Sequence, residues 1–254
     1  MKNKNTIYKN LIVFTIILVI WEFVFRIKIF SPIYLPGPYM VLKSFLEMLA
    51  DGSLIVNIYM SLFRIGLGFI LAFITALGLS LGYFLNAKVF SYLDGILNFL
   101  KNIPPLGLVP LLILWLGIGE GTKITMVFMA SFFPLFLNMK KGFLGFDKEL
   151  VEMALSFSYN KMDIFKKVIL PQSLPDIYTG IRISLGYAYR SIIAAEMIAA
   201  SSGLGYLLNF SRQMSRTDKV LVSLIVIGFL GLFTDYLLAK LSKIVLKGDL
   251  RNET

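Results

Sequence analysis

DKELVEMALSFSYNKMDIFKKVILP, residues 147–171, is a charged, amphipathic interlude set between long apolar runs. Leu150, Met153, Ala154 and Phe157 recur at i, i+3, i+4 and i+7, the spacing of one helical face. Asp147 is placed to cap that helix, and Glu149 and Glu152 put negative charge in its first turns, where the macrodipole favours it. Ser158-Tyr159-Asn160 breaks the pattern. Asn160 then suits the cap of a second short helix with Ile164, Phe165, Val168 and Ile169 on its apolar face, Lys166 and Lys167 near its end, and Pro171 as its stop. Such an interlude suits either an interfacial helix pair on lipid headgroups or a docking element for a partner in the water phase.

The surrounding chain is that of a membrane protein. Of 254 residues, 57% are hydrophobic and the mean hydropathy is +0.77, against an apolar share of about 45–50% in soluble domains. Six stretches approach the roughly 20 apolar residues that a span requires: 8–26, 55–85, 92–117, 123–140, 177–200 and 220–241. The first follows Lys2, Lys4 and Lys9 but has no small-residue cleavage site before Arg26, so it reads as a retained span rather than a signal peptide. With the N-terminus inside, loops and ends on the inner side hold fourteen Lys and Arg against seven outside. The positive-inside rule therefore predicts both termini, and residues 147–171, in the cytoplasm. The net charge of +10 belongs to this lysine excess, and nothing points to nucleic acid. The chain has no Cys and no His, which excludes disulfides, histidine-based metal sites and His-dependent triads.

Several residues within the spans stand out. Ionisable groups there are functional candidates: Glu22, Arg64, Lys101, Arg182, Arg190, Glu196 and Asp235. Lys101 and Arg182 are expected near the cytoplasmic ends, while Arg190 and Glu196 lie deepest. Those two are six apart and cannot face each other on one helix, so Glu196 needs a partner elsewhere, with Arg64 one choice. Arg64 or Arg190 could offer a positive site to an anionic solute, or Arg64 and Glu196 could hold the bundle as an ion pair. Pro104, Pro105 and Pro110 should distort the third span, and freed carbonyls suit the lining of a cavity. Gly66, Gly68, Gly78 and Gly82 mark the second span for close helix approach. Two outer segments, an amphipathic helix after Leu35-Pro36-Gly37-Pro38 with Val41, Leu42, Phe45, Leu46 and Leu49, and the loop 201–219, could meet an external partner. Gly117-Ile118-Gly119-Glu120-Gly121-Thr122-Lys123 lacks phosphate-loop spacing and reads as a tight outer turn. Trp115, Phe133, Tyr187 and Tyr189 could serve a ring-bearing ligand or simply pack.

Glu152-Met153-Ala154, then Ser158, then Ile169-Leu170-Pro171 resemble the EAA loop of ABC-importer permeases. Met153 stands where that family carries Ala, and Ser158 where it carries Gly. Gly would permit a left-handed turn; with Ser, either the turn is less tight or a neighbour such as Asn160 takes the left-handed position. Ser61-Leu62-Phe63-Arg64, Ile103-Pro104-Pro105, Leu114-Trp115-Leu116-Gly117-Ile118-Gly119, Phe133-Pro134, Thr179-Gly180-Ile181-Arg182, Ala195-Glu196 and Gly203-Leu204-Gly205-Tyr206 recur in order and resemble the nitrate, sulfonate and taurine type of permease, a branch that also includes importers of vitamin precursors.

The resemblance implies an all-α polytopic permease of about six transmembrane helices in the cell membrane, not an enzyme, and without cofactor or metal. It implies two cytosolic ATPase subunits, an extracellular binding protein and a second permease copy as partners. Residues 1–54 would form an N-terminal transmembrane helix and outer interfacial segment, 55–241 the permease domain, and 242–254 a cytoplasmic tail. Glu152, Met153, Ala154, Phe157, Ser158, Phe165, Leu170 and Pro171 would make the ATPase-coupling loop, and Arg64, Pro104, Pro105, Trp115, Arg190 and Glu196 are candidates for the translocation pathway. The rival readings are a secondary carrier, for which midplane carboxylates are few, and a membrane scaffold that only recruits a partner.

Overall fold

The computed structural model describes residues 4–245, and among them every regular element is helical. In chain order these are α1 (Lys4–Arg26), α2 (Pro38–Ala50), α3 (Ser53–Leu85), α4 (Ala87–Phe90), α5 (Asp94–Leu100), α6 (Val109–Leu116), α7 (Glu120–Leu144), α8 (Lys148–Ser156), α9 (Lys161–Ile164), α10 (Leu170–Ala199), α11 (Leu204–Gln213) and α12 (Thr217–Val245). Most of the expected tail, 246–254, lies outside the described residues. α3, α7 and α12 are each long and apolar enough to cross a membrane, and two bent pairs, α4–α5 with the segment Pro105–Leu116 and Lys161–Ala199 with α11, bring the count to as many as five. α1 adds a helix of 23 residues, about 34 Å long and sufficient for a hydrocarbon core of about 30 Å.

α7 is the centre of the bundle, packed between α3 and α10. α3 buries a stripe repeating every three or four residues, Ser61, Ile65, Gly68, Ala72, Ala76 and Ser80, whose small side chains let the helices approach as they do in lipid. The close contact falls at Gly68, where a Cβ would strike Val127 of α7. The expected Gly78–Gly82 pair is not a helix interface: Gly78 faces open space and Gly82 makes room for Phe90. Tyr83, Phe136, Met139 and Phe143 continue the core toward the end of the bundle that carries residues 147–171.

The third expected span is more than kinked. Its halves meet at 82°, and none of its prolines sits in a helix interior. Pro104 is extended, Pro105 opens a short 3-10 turn, and Pro110 lies in the first turn of α6, positions where a missing N–H costs nothing. The outer helix is also re-aimed. α2 buries Val41, Ser44 and Met48 and leaves Leu42 and Leu46 more than half exposed. It seats on α12, with Ser44 Oγ 2.5 Å from Asp218, which Arg216 also holds at 2.7 Å. Trp21 of α1 donates to the Pro36 carbonyl at 3.0 Å, fastening the first helix to the same corner. Residues 201–219 are not a loop, since α11 occupies 204–213 and buries Leu204, Leu207, Leu208 and Ser211.

Candidate functional site

Two groups of residues stand at opposite ends of the bundle, joined by α10. At one end lies the amphipathic interlude. Asp147 caps α8 by accepting from the Glu149 N–H at 2.8 Å, and Asn160 caps α9 by accepting from the Asp163 N–H at 2.8 Å. Between them the chain turns through Ser158 at φ 60°, while Asn160 stays extended. Ser158 therefore takes the left-handed position itself. The turn is a Schellman motif: the Tyr159 N–H donates to the Ala154 carbonyl at 3.1 Å and the Ser158 N–H to that of Leu155 at 2.9 Å.

Pro171 does not stop the second helix. A π-helical turn spans Phe165–Ile169, the Leu170 N–H reaches back to the Phe165 carbonyl, and α10 follows without a break. Pro171 thus falls in a first turn, and the widened backbone accommodates its ring and its missing donor. Phe165 turns inward onto Phe84 and Phe143, with ring centroids at 5.5 and 6.1 Å, so α3, α7 and the interlude share one aromatic cluster. Ala154, Ile164 and Ile169 are buried with it and Leu170 is half-buried. The rest of the face points away. Met153 is 56% exposed and Phe157 73%, with Leu150 and Glu152 exposed beside them. Exposed apolar side chains on a well-capped helix form a surface that nothing among the described residues covers.

At the opposite end Arg64 is wholly buried, and all five of its N–H donors are used. Nε and Nη2 grip Glu120 at 2.6 and 2.8 Å; Nη1 reaches Glu196 and the Ser202 carbonyl, both at 2.7 Å; and Nη2 also meets Ser202 Oγ at 2.9 Å. Lys123 Nζ completes the cluster, 2.8 Å from Glu120. Glu196 further accepts from Ser61 Oγ and, at 2.9 Å, from the Gly205 N–H. The Gly203 and Leu204 N–H groups donate to Asn57 and Ser61. The N-terminus of α11 is thereby satisfied by α3 and α10 side chains, as a buried helix end must be. Gly203, at φ 111°, and Gly205 are required here, because a Cβ would fall on the Glu196 carboxylate or the Ile193 carbonyl. Glu120 and Ser202 escape a span-by-span reading because they lie outside the expected spans, and Lys123 and Asn57 because they lie within two residues of a span's end.

The remaining expected residues are dispersed. Arg190 is exposed on α10, its guanidinium 5.9 Å from the Tyr187 ring, in a groove of 650 Å³ against α12. Arg182 pairs with Asp235 at 3.2 Å in the same groove. Pro105 lines a small cavity with Lys101, Phe133 and Tyr187, whereas Trp115 is 67% exposed on α6 and lines none of the cavities described.

These features match a known family. Residues 68–246 fit the family described as binding-protein-dependent transport system inner membrane component. The chain is 35% identical over 241 residues to the Bacillus subtilis (strain 168) permease SsuC, named for aliphatic sulfonates, covering 94% of this chain and 87% of that one. It is 32% identical to the taurine transport system permease protein TauC of Escherichia coli (strain K12), covering 85% of this chain and 80% of that one. The fold is similar to a chain of the inward-facing MetNI methionine ABC transporter, with a TM-score of 0.65 at 17% identity over 77% of this chain and 97% of that chain. The chain belongs to the binding-protein-dependent transport system inner membrane components, the permeases of ABC importers.

Proposed function

We propose that two copies of this chain form the membrane pathway of an ATP-driven importer of small oxyanions of the sulfonate, taurine or nitrate class, delivered by an external binding protein. The named relatives support that solute class. Both termini and the interlude 147–171 face the cytoplasm, as the distribution of Lys and Arg favours. Residues 55–241 are the transport domain, with 1–54 as an accessory helix and outer segment.

The observation that carries the proposal is the uncovered face of α8. Leu150, Glu152, Met153 and Phe157 point outward while Ala154, Phe165 and Leu170 anchor the loop. Two cytosolic ATPase subunits take this face, hydrolyse the nucleotide themselves, and move the loop; the permease has no catalytic part. Arg64 and Glu196 serve as a clasp rather than a solute contact, because Arg64 has no free donor. The family and relatives favour this reading over a self-sufficient carrier.

Co-purification from detergent tests it. The intact chain should bring down an ATPase, and Glu152→Arg or Phe157→Asp should abolish that. An intact chain that brings down none, or variants that bring down as much, would sink the assignment of the loop.

A further inference from the structure

Three cavities share walls. The groove between α10 and α12 (650 Å³) and a smaller cavity (180 Å³) have Tyr187 in common. The smaller cavity and a third (300 Å³) have Lys101 and Phe133 in common. Arg182 sits about 26 Å of helical rise from the outer end of α10, toward the loop end, and the other three cations lie at successive depths. Arg190 lies about 14 Å of helical rise from the outer end of α10, Lys101 about 21 Å from the loop end at Ala87, and Lys140 about 6 Å from the loop end of α7. Lys101 thus sits mid-bundle, not at a cytoplasmic end, because the 82° break after α5 stops that helix half-way. Across the three cavities Arg182, Arg190, Lys101 and Lys140 face only Asp235 and Asp94. Those carboxylates are held by Arg182 and Lys140. Among the described residues no carboxylate lies within ion-pair distance of Arg190 or Lys101. Unpaired cations at that depth are costly against lipid and normally mark water-filled space.

From this we infer that Arg190 and Lys101 line an anion route through the middle and loop-side part of the permease, passing from the α10–α12 groove by Tyr187 and Phe133 to Lys140. The inference rests on the importer reading above and adds to it the residues that select charge. Arg190 meets the anion first, and Lys101 receives it where Pro104 and Pro105 hold the bend open. A net of two positive charges per chain favours a monoanion and leaves it free to move between sites.

The chain contains no cysteine, so single cysteines can be placed without background. Tyr187→Cys and Phe133→Cys, in the full assembled transporter, would be treated with the anionic ethylsulfonate and the cationic trimethylammonium-ethyl methanethiosulfonates. At the 5.9 Å between Arg190 and the Tyr187 ring, a unit charge in water changes local reagent concentration about threefold in each direction, so the anion should react about tenfold faster after correction for intrinsic rates. Adding Arg190→Gln should bring the ratio at position 187 to about one. Lys101→Gln should do the same at position 133, and Lys88→Gln should change neither. No preference for the anion, no response to the glutamine variants, or no reaction at either position overturns the inference. Binding-protein-driven uptake of taurine, methanesulfonate and nitrate by the unaltered complex separates the two layers. Uptake without the predicted ratios removes the route alone, and the ratios without uptake of any of the three leave the route and remove the solute class.

Discussion

Arg64 makes two ion pairs of unequal burial, and this sets a measurable order. Arg64 and Glu196 are both fully buried and 2.7 Å apart, whereas Glu120 is 45% exposed. Removing one partner of a buried pair leaves an uncompensated charge and costs about 3–5 kcal/mol, while an exposed partner is worth at most about 1 kcal/mol. Arg64→Ala should therefore cost about 4 kcal/mol, as should Glu196→Ala. The double variant, with neither charge left behind, should lose well below the sum, giving a coupling of about 2–3 kcal/mol. The same cycle between Arg64 and Glu120 should give about 1 kcal/mol or less. Equilibrium unfolding in mixed dodecylmaltoside and SDS micelles, followed by tryptophan fluorescence, supplies both coupling energies. Additivity of Arg64→Ala and Glu196→Ala within about 0.5 kcal/mol, or a stronger coupling to Glu120, would refute the clasp.

Gly203→Ala forces a side chain into the left-handed region and onto the Glu196 carboxylate; it should cost more than about 2 kcal/mol in the same unfolding assay, and a neutral result would contradict the geometry. Ser158→Gly relieves a left-handed residue at φ 60° and should stabilise by about 0.5–1 kcal/mol, with ATPase co-purification unchanged. Phe165→Ala removes the ring shared with Phe84 and Phe143; it should cost about 2–3 kcal/mol and lower uptake per ATP hydrolysed, because the loop would still dock but move the bundle less.

Much of this was legible because lipid makes stringent demands on sequence. Hydropathy runs mark α1, α3, α7, α10 and α12, and the i, i+3, i+4 spacing of Leu150, Ala154 and Phe157 marks α8. Pairing Arg64 with Glu196 needed only the rule that a deep charge seeks a partner. What stayed hidden depends on bends. The depth of Lys101 follows from the break at Pro104, which local sequence signals without giving an angle. α11 escaped because it is short and begins at Gly203-Leu204-Gly205, a run that looks like a turn until Glu196, Ser61 and Asn57 are seen to receive its N–H groups. α2 turned the other way because Ser44, a polar residue, faces Asp218 from its buried side.

The π turn at Phe165–Ile169 carries one residue more than an α-helix would use there. Each residue advances a helix by about 100°, so this single addition sets the angular phase between the loop and everything beyond it on α10. Phe165 looks toward Phe84 and, on the same unbroken rod, Glu196 looks toward Arg64, only because that phase is kept. A one-residue deletion between Phe165 and Ile169 would turn Arg190 and Glu196 by about 100° relative to the loop. The two ends of the transporter are geared together through five residues, and chain length in that stretch is as tightly specified as the identity of any side chain.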